Sequence, residues 1–277
     1  MAMLLGLFLR NTSLVGNLRL LDMLKKLGKA GCDSYYIYDD DEVRDGTDMV
    51  LSIGGDGTFL SASKKVAGTG IPVLGVNLGR LGFLSENLPE DAADAILSGR
   101  YELEDRTLLS VSVSDQKLNK DVGFCPYALN EVTIHRSGAA ILGINVRMNG
   151  DKLPTCWADG LIVATSSGST AYALSAGGPI CSPDAKVLII EPIAPHNLNV
   201  RPLVVPESTD ISITISSRDD EAVLTMDNRN YTIRPDAEVK VSGFASALMW
   251  TMTRKPRAAL MMPMERPRLP VEPTCTV

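Results

Sequence analysis

Met49-Val50-Leu51-Ser52-Ile53, followed by Gly54-Gly55-Asp56-Gly57-Thr58, reads as a buried strand running into a glycine-rich turn. In open α/β sheets ligands bind beyond the carboxyl ends of strands. Glycines at that place permit positive φ and let backbone approach a phosphate or a ribose closely. Thr58-Phe59-Leu60 can start a helix whose free N–H groups would face an anion. An acid in such a turn is the anomaly, because a carboxylate repels bare phosphate. Asp56 is therefore expected to accept a hydroxyl proton or to meet phosphate through a divalent cation. The alternative is a tight turn in which Asp56 caps the next helix.

On either side of this turn the first hundred residues alternate strand and helix. Apolar residues 4 to 9, 35 to 38 and 71 to 76 read as further strands, while Leu18 to Leu24 and Pro89 to Leu97 read as helices. That rhythm is the signature of parallel βαβ units. From about Leu108 the pattern changes to period-two segments, such as Leu109 to Val113, Glu131 to His135, Ile211 to Ile215 and Glu238 to Val241. This half is expected to be mostly antiparallel sheet. The stretch after Arg254 carries five prolines in the last 22 residues and no hydrophobic periodicity, and is expected to be extended or poorly ordered.

Composition narrows the function. A chain of 277 residues with 45% apolar and 22% charged content suits a soluble globule of one or two domains. A formal charge of −6 argues against a general binder of nucleic acid, which depends on releasing counterions from phosphates. Five cysteines at 32, 125, 156, 181 and 275 show no CxxC pairing, so a reducing cytoplasm fits better than a disulfide framework or a zinc site. The apolar opening lacks the basic start and cleavage site of a signal peptide and reads as the first strand. No run approaches the ~18 apolar residues of a membrane span.

A second constellation runs from Asp159-Gly160 through the strand Leu161 to Ala164, the small-residue loop Thr165 to Ser169, and a short helix over Thr170 to Ser175, before Gly177-Gly178. Such a loop can wrap sugar and phosphate while Tyr172 lays its ring on a base; the plainer reading is an N-cap and a solvated turn. Asn130-Glu131, just before a strand, could take both hydroxyls of a ribose by complementary donation and acceptance, or could be an ordinary surface turn. His135 and His196 are the only histidines, and neither has a partner at metal spacing, so both are expected to be structural. There is no GxxxxGK[ST] and no strand-borne GxGxxG, so any phosphate is held by another design.

In chain order, the stretches Gly54 to Thr58, Gly75-Val76-Asn77-Leu78-Gly79-Arg80-Leu81-Gly82-Phe83-Leu84, Asn130-Glu131, Asp159-Gly160, Gly168-Ser169-Thr170-Ala171-Tyr172, Pro192 to His196 and Arg201 to Pro206 resemble the motifs of NAD kinases. The resemblance covers roughly residues 4 to 254. GGDGT alone is shared with diacylglycerol, sphingosine and phosphofructo-kinases, and the later motifs separate them. The chain departs from the family pattern at Trp157-Ala158, where many relatives carry a basic residue, at Thr165-Ser166-Ser167-Gly168 in place of Thr-Pro-Thr-Gly, and at Met226-Asp227-Asn228-Arg229 in place of an Asp-Gly-Gln turn.

The resemblance implies a doubly wound α/β domain over residues 1–106, rejoined by a returning segment 245–277, and a β-sandwich-like, NAD-binding domain over 107–244. This is the NAD kinase and diacylglycerol kinase-like fold. It implies transfer of the terminal phosphoryl group of ATP, or in some members polyphosphate, to the 2′-hydroxyl of the adenosine ribose of NAD. Asp56 would be the catalytic base, with Gly54, Gly55, Gly57 and Thr58 forming the phosphate loop. Gly57, Phe83, Asn130, Glu131, Asp159, Thr170, Ala171, Tyr172, Ser175 and Asp227 would contact substrate. The resemblance further implies Mg²⁺ accompanying ATP with no protein side chain assigned to it, NAD and ATP as partners, neither nucleic acid nor membrane, a cytoplasmic location, and a homodimer or homotetramer. A lipid or other small-molecule kinase with the same loop, and a dinucleotide sensor without turnover, are the alternatives.

Overall fold

The first strands are β1 (Leu4–Phe8), β2 (Asp33–Ile37), β3 (Met49–Ile53) and β4 (Val73–Val76), and between and after them lie α1 (Leu18–Lys29), α2 (Asp56–Val66) and α3 (Pro89–Ser98). The strands form a parallel sheet in the order β2-β1-β3-β4. Side chains alternate across it. Leu5, Leu7, Leu51 and Leu74 face α1 and α3 in one cluster, while Phe8, Ile37, Val50 and Val73 face Phe59, Ala62 and Val66 of α2 in another. Helices therefore cover both faces, which is what an all-parallel sheet requires. α1 buries Leu20, Met23 and Leu27 at helical spacing, and the Asn17 side chain accepts the Arg19 and Leu20 N–H groups to cap it. α3 begins with Pro89 and stops at Gly99, whose φ of +63° is the left-handed turn that glycine allows.

The structure, a computed structural model, describes residues 3–79, 82–115, 118, 123–197 and 199–250, with only the backbone at 245–250. Arg80 and Leu81 of the second glycine motif, residues 251–277 of the expected returning segment, and the proline-rich stretch within them lie outside the described residues. No helix among the described residues is long and apolar enough to cross a membrane.

The remaining strands are β5 (Glu102–Val113), β6 (Tyr127–Ala128), β7 (Glu131–Arg136), β8 (Leu142–Met148), β9 (Asp151–Lys152), β10 (Cys156–Ala158), β11 (Gly160–Thr165), β12 (Val187–Ile193), β13 (Leu203–Pro206), β14 (Ile211–Ser216), β15 (Ala222–Met226), β16 (Arg229–Ile233) and β17 (Val239–Trp250). Among the described residues they make two antiparallel sheets, one ordered β10-β8-β14-β17-β5-β6 with β9 paired to β8, the other β13-β12-β11-β7-β15-β16. Leu109, Val111, Ile144, Ile213 and Val241 of the first face Val132, Ile134, Leu161, Val163, Ile190 and Leu224 of the second in one buried cluster. The result is a sandwich built on period-two alternation. β5 and β17 pair over their whole length, so the expected boundaries at 106/107 and 244/245 both fall inside one ladder.

Two consequences of this packing position the site. Because Val132 and Ile134 point into the sandwich, Glu131, Thr133 and His135 project from its outer face. The helix α4 (Tyr172–Ala176) lies on that same face, with Ala173 packed on Ile162, Ala164 and Ile189. The two halves also share a core. Leu108, Leu129 and Phe244 join Phe59, Ala62, Val66 and Leu84 in the cluster beneath α2, so the turns that carry Asp56, Phe83 and Asn130 meet over one apolar junction.

Candidate active site

The turn after β3 differs from its sequence-level picture in two details and decides between its alternatives in a third. α2 starts at Asp56 rather than near Thr58, because Gly55 already holds the extended conformation of an N-cap. Of the turn's glycines, only Gly54 has positive φ, at +150°, and a Cβ there would meet Thr58 Oγ1 at 2.6 Å, whereas Gly55 and Gly57 are exposed with open space around them. The Asp56 side chain does not cap its own helix. Its Oδ2 accepts the N–H of Phe83 at 2.9 Å, and its Oδ1 accepts those of Leu84 and Ser85 at 2.9 and 3.1 Å. Gly82 makes this approach possible, since a Cβ on it would lie 2.1 Å from Asp56 Oδ1. A carboxylate offers about four acceptor sites, so three donors leave room for one hydroxyl. The same turn presents Phe83, half exposed, to solvent.

Asn130 precedes β7 and Glu131 opens it, and both are buried, each 8% exposed. Asn130 Oδ1 and Glu131 Oε2 nevertheless have no hydrogen-bond partner among the described residues. Unsatisfied buried polar atoms cost roughly 1–3 kcal/mol each, and two side by side at the entrance of a strand call for a ligand. Burial, and the neighbouring Asp227 charge, push the Glu131 carboxyl up to about 8, against the pull of the Tyr172 N–H that bonds it. Asp227 lies at the β15–β16 turn with φ of +51°. Its Oδ1 accepts the N–H groups of Asn130 and Glu131 at 2.8 and 3.3 Å, and its Oδ2 that of Leu129 at 3.0 Å, while its own N–H donates to the Glu131 carbonyl. Burial raises the Asp227 carboxyl, opposed by those N–H groups and by Arg229. In this arrangement Asp227 positions the Asn130-Glu131 pair from behind. Arg229, whose role the sequence leaves open, donates to the carbonyls of Met226, Cys125 and Tyr127 and fastens the segment leading into β6.

The small-residue loop folds as a 3₁₀ turn over Ser167–Thr170, broken at Ala171, before α4 begins at Tyr172. Most of its hydroxyls are engaged by backbone carbonyls of the loop and its neighbours rather than offered outward. Thr165 Oγ1 donates to the Leu129 carbonyl, Ser166 Oγ to that of Pro183, Ser169 Oγ to that of Ser166 and Thr170 Oγ1 to that of Ser167. Ser167 Oγ is buried without a partner among the described residues. Gly168 packs against Asn130, where a Cβ would come within 2.1 Å of its carbonyl oxygen. Ala171 is half-buried and Ser175 exposed.

Beyond α4's first residue the site continues along β7. The Tyr172 ring lies nearly parallel to that of His135, with centroids 5.7 Å apart and planes 24° from each other. Burial lowers the His135 imidazole, and the nearby Asp159 charge opposes it. Asp159 in turn is held by Arg136, with Nε to Oδ1 at 2.8 Å. The structure thus joins Asn130, Glu131, Tyr172 and Asp159 through contacts along one strand, and brings Asp56 and Phe83 to the same apolar junction. His135, Arg136, Gly82 and Thr133 were not singled out as site residues from the sequence. For Thr133 and His135 a signal existed: they follow Glu131 at two-residue steps, on one strand face. Among the described residues, no group of three or more His, Cys, Asp or Glu side chains could hold a metal ion.

Comparison with known proteins bears on this geometry. A family model described as the ATP-NAD kinase N-terminal domain matches residues 32–102, and one described as the ATP-NAD kinase C-terminal domain matches residues 129–249. The chain is similar to an NAD kinase of Flavobacterium psychrophilum, 44% identical over 193 residues, covering 68% of this chain and 64% of that protein. It is also similar to an NAD kinase of Bacteroides fragilis, 42% identical over 205 residues, covering 73% of this chain and 69% of the relative. The matched part therefore spans about two thirds of those relatives' length. Among solved structures, that of an NAD kinase from Archaeoglobus fulgidus in complex with ATP has a TM-score of 0.73 and 26% identity, over 94% of this chain and 97% of the other.

Proposed function

Because this chain belongs to the NAD kinase family, we propose that it transfers the terminal phosphoryl group of ATP to the 2′-hydroxyl of the adenosine ribose of NAD, releasing NADP and ADP. The observation that carries this reading is the pair of buried polar atoms, Asn130 Oδ1 and Glu131 Oε2, without a partner among the described residues and next to the junction shared with the Asp56 turn. A ribose presents two adjacent hydroxyls, which suits two adjacent polar groups left unsatisfied.

In the proposed step the 2′-oxygen attacks the γ-phosphorus while Asp56 accepts the hydroxyl proton, and the bond from phosphorus to the bridging oxygen of ADP breaks. General base assistance of this kind contributes about 10²–10⁴-fold. The three backbone donors on Asp56 fix its direction, so the carboxylate does not have to be ordered during the reaction. The open space at Gly55 and Gly57 leaves room for phosphate close to the backbone at the start of α2. The expected Mg²⁺ would accompany the nucleotide's own phosphates and neutralise their charge.

Location and assembly belong to the same proposal. Cys32, Cys125, Cys156 and Cys181 are free thiols, which supports a reducing cytoplasm. Leu203 and Val204 are exposed on β13, at the edge of its sheet, which supports a homodimer or homotetramer. Light scattering of the purified chain tests the latter.

The activity is tested by incubating purified protein with NAD, ATP and Mg²⁺ and following NADP with an NADP-specific dehydrogenase. Asp56→Asn is expected to lower turnover about 10²–10⁴-fold while NAD still binds. Unchanged turnover would remove Asp56 from the mechanism. NAD binding without product in the wild type would favour a sensor, and phosphorylation of a lipid alcohol in preference to NAD would favour the other kinase reading.

A further inference from the structure

Tyr172 is pinned to β7 at two places. Its backbone N–H bonds the Glu131 carboxyl, and its ring stacks on His135, four residues further along the same outer face. At a strand's rise the Cα atoms of Glu131 and His135 are roughly 13 Å apart. Between them on the same outer face lies Thr133, which is only 1% exposed and whose Oγ1 has no partner among the described residues. One face of the Tyr172 ring is thus backed by imidazole, while the residue as a whole stays 39% exposed. The centroid distance and small interplanar angle are those of offset stacking.

His135 is itself held in place. Its Nδ1 lies over Gly160, where a Cβ would come within 3.1 Å of it and within 2.5 Å of the Ile134 carbonyl oxygen. Burial favours the neutral imidazole, and the Arg136 guanidinium engages the carboxylate of Asp159, whose charge acts on the imidazole in the opposite sense. A neutral ring fixed on one side and a partly exposed aromatic ring stacked on it form a platform. Rigid aromatic surface binds a flat ligand at low entropic cost, because little freedom remains to be lost.

We propose that His135 is a positioning residue for the dinucleotide, holding the Tyr172 ring in a fixed plane so that its open face stacks on a base of NAD. The inference rests on the NAD kinase reading and adds to it a residue that does not touch substrate.

The test compares His135→Leu, which fills the space without an aromatic face, with His135→Phe, which restores one. Both are made in the full chain and in a Tyr172→Leu background. His135→Leu should raise the KM and the Kd for NAD about 2- to 12-fold, the range of an aromatic pair. kcat should fall by a smaller factor and the KM for ATP should not follow. His135→Phe should bind NAD more like wild type than like the leucine variant, and in the Tyr172→Leu background the two should be equal. The inference is overturned if His135→Leu binds NAD as wild type does, if phenylalanine fails to rescue, or if the difference persists without Tyr172. A wild-type protein that neither binds nor phosphorylates NAD would instead overturn the functional reading, and the inference with it.

Discussion

Gly82 and Asp56 fit only as a pair: a Cβ on the glycine would stand 2.1 Å from Oδ1 and 2.7 Å from Oδ2 of the acid. The carboxylate is short and carries three hydrogen bonds to the turn that follows Gly82, so it cannot yield without releasing Phe83, Leu84 or Ser85. Gly82→Ala is therefore expected to redirect Asp56 while leaving both large cores intact. Misplacing a reacting group by about 1 Å can cost about 10²-fold in rate, and a loss of that order in NADP formation, with little change in melting temperature, is the expected result. Full activity in this variant would mean that the ligand-free orientation of Asp56 is not the one used.

Asp227 holds a different turn by the same means, taking the N–H groups of Leu129, Asn130 and Glu131 from a residue whose own φ is +51°. Asp227→Ala removes the acceptor of three N–H groups, worth roughly 1–3 kcal/mol, and replaces a side chain that eases the left-handed backbone by bonding locally with one that cannot. Asparagine tolerates that backbone and retains one oxygen, so urea unfolding should rank wild type above Asp227→Asn and Asp227→Asn above Asp227→Ala. Affinity for NAD should fall in the same order, because the Asn130-Glu131 pair loses its backing.

These two pairs also mark where sequence reading stops. β3 and its glycines were legible because strand periodicity and turn chemistry are local, and the outer face of β7 was legible in part because two-residue alternation needs no tertiary knowledge. That Asp56 faces residues 83–85 is set by how β3 and β4 pair and by the path beyond β4. Gly82 is needed only because of that encounter. The hydroxyls of Thr165, Ser166 and Ser169 looked like ligand groups, yet the fold returns them to carbonyls of Leu129, Pro183 and Ser166. The His135–Tyr172 stack requires the β7–β11 register and the turn back into α4 together, neither of which has a signature in either residue's neighbours.

Glycines 57 and 168 separate ligand from fold. A Cβ at Gly57 meets nothing within 4 Å, whereas one at Gly168 would lie 2.1 Å from the Asn130 carbonyl oxygen and 2.9 Å from its Cα. Gly57→Ala, inside α2, should leave the fold unchanged or stabilise it by about 0.4–1 kcal/mol. A fall in turnover there would report on crowding of the phosphate. Gly168→Ala should destabilise by about 1–3 kcal/mol through overpacking against backbone, and weaken NAD binding as well. Thermal unfolding measured beside turnover distinguishes the two, and equal stability losses would contradict the assignment.

Glu131 gives the site a dependence on pH. Its carboxyl, normally at 4.5, is raised to about 8 by burial and by Asp227, so between those values the folded chain holds a proton that the unfolded chain has released. Stability from this group is fully present below about pH 4.5 and is lost as pH rises toward 8. Glu191, raised to about 7 by burial, adds the same sign, whereas His135, lowered by burial, acts in the opposite sense below its ordinary value. Subtraction isolates Glu131. The unfolding free energy of Glu131→Gln minus that of wild type should grow from pH 5 to pH 8 with a slope of up to about 1.4 kcal/mol per pH unit. A difference that stays flat across that range would show that Glu131 is ionised in the ligand-free site, and that the carboxylate rather than the acid waits for the ribose.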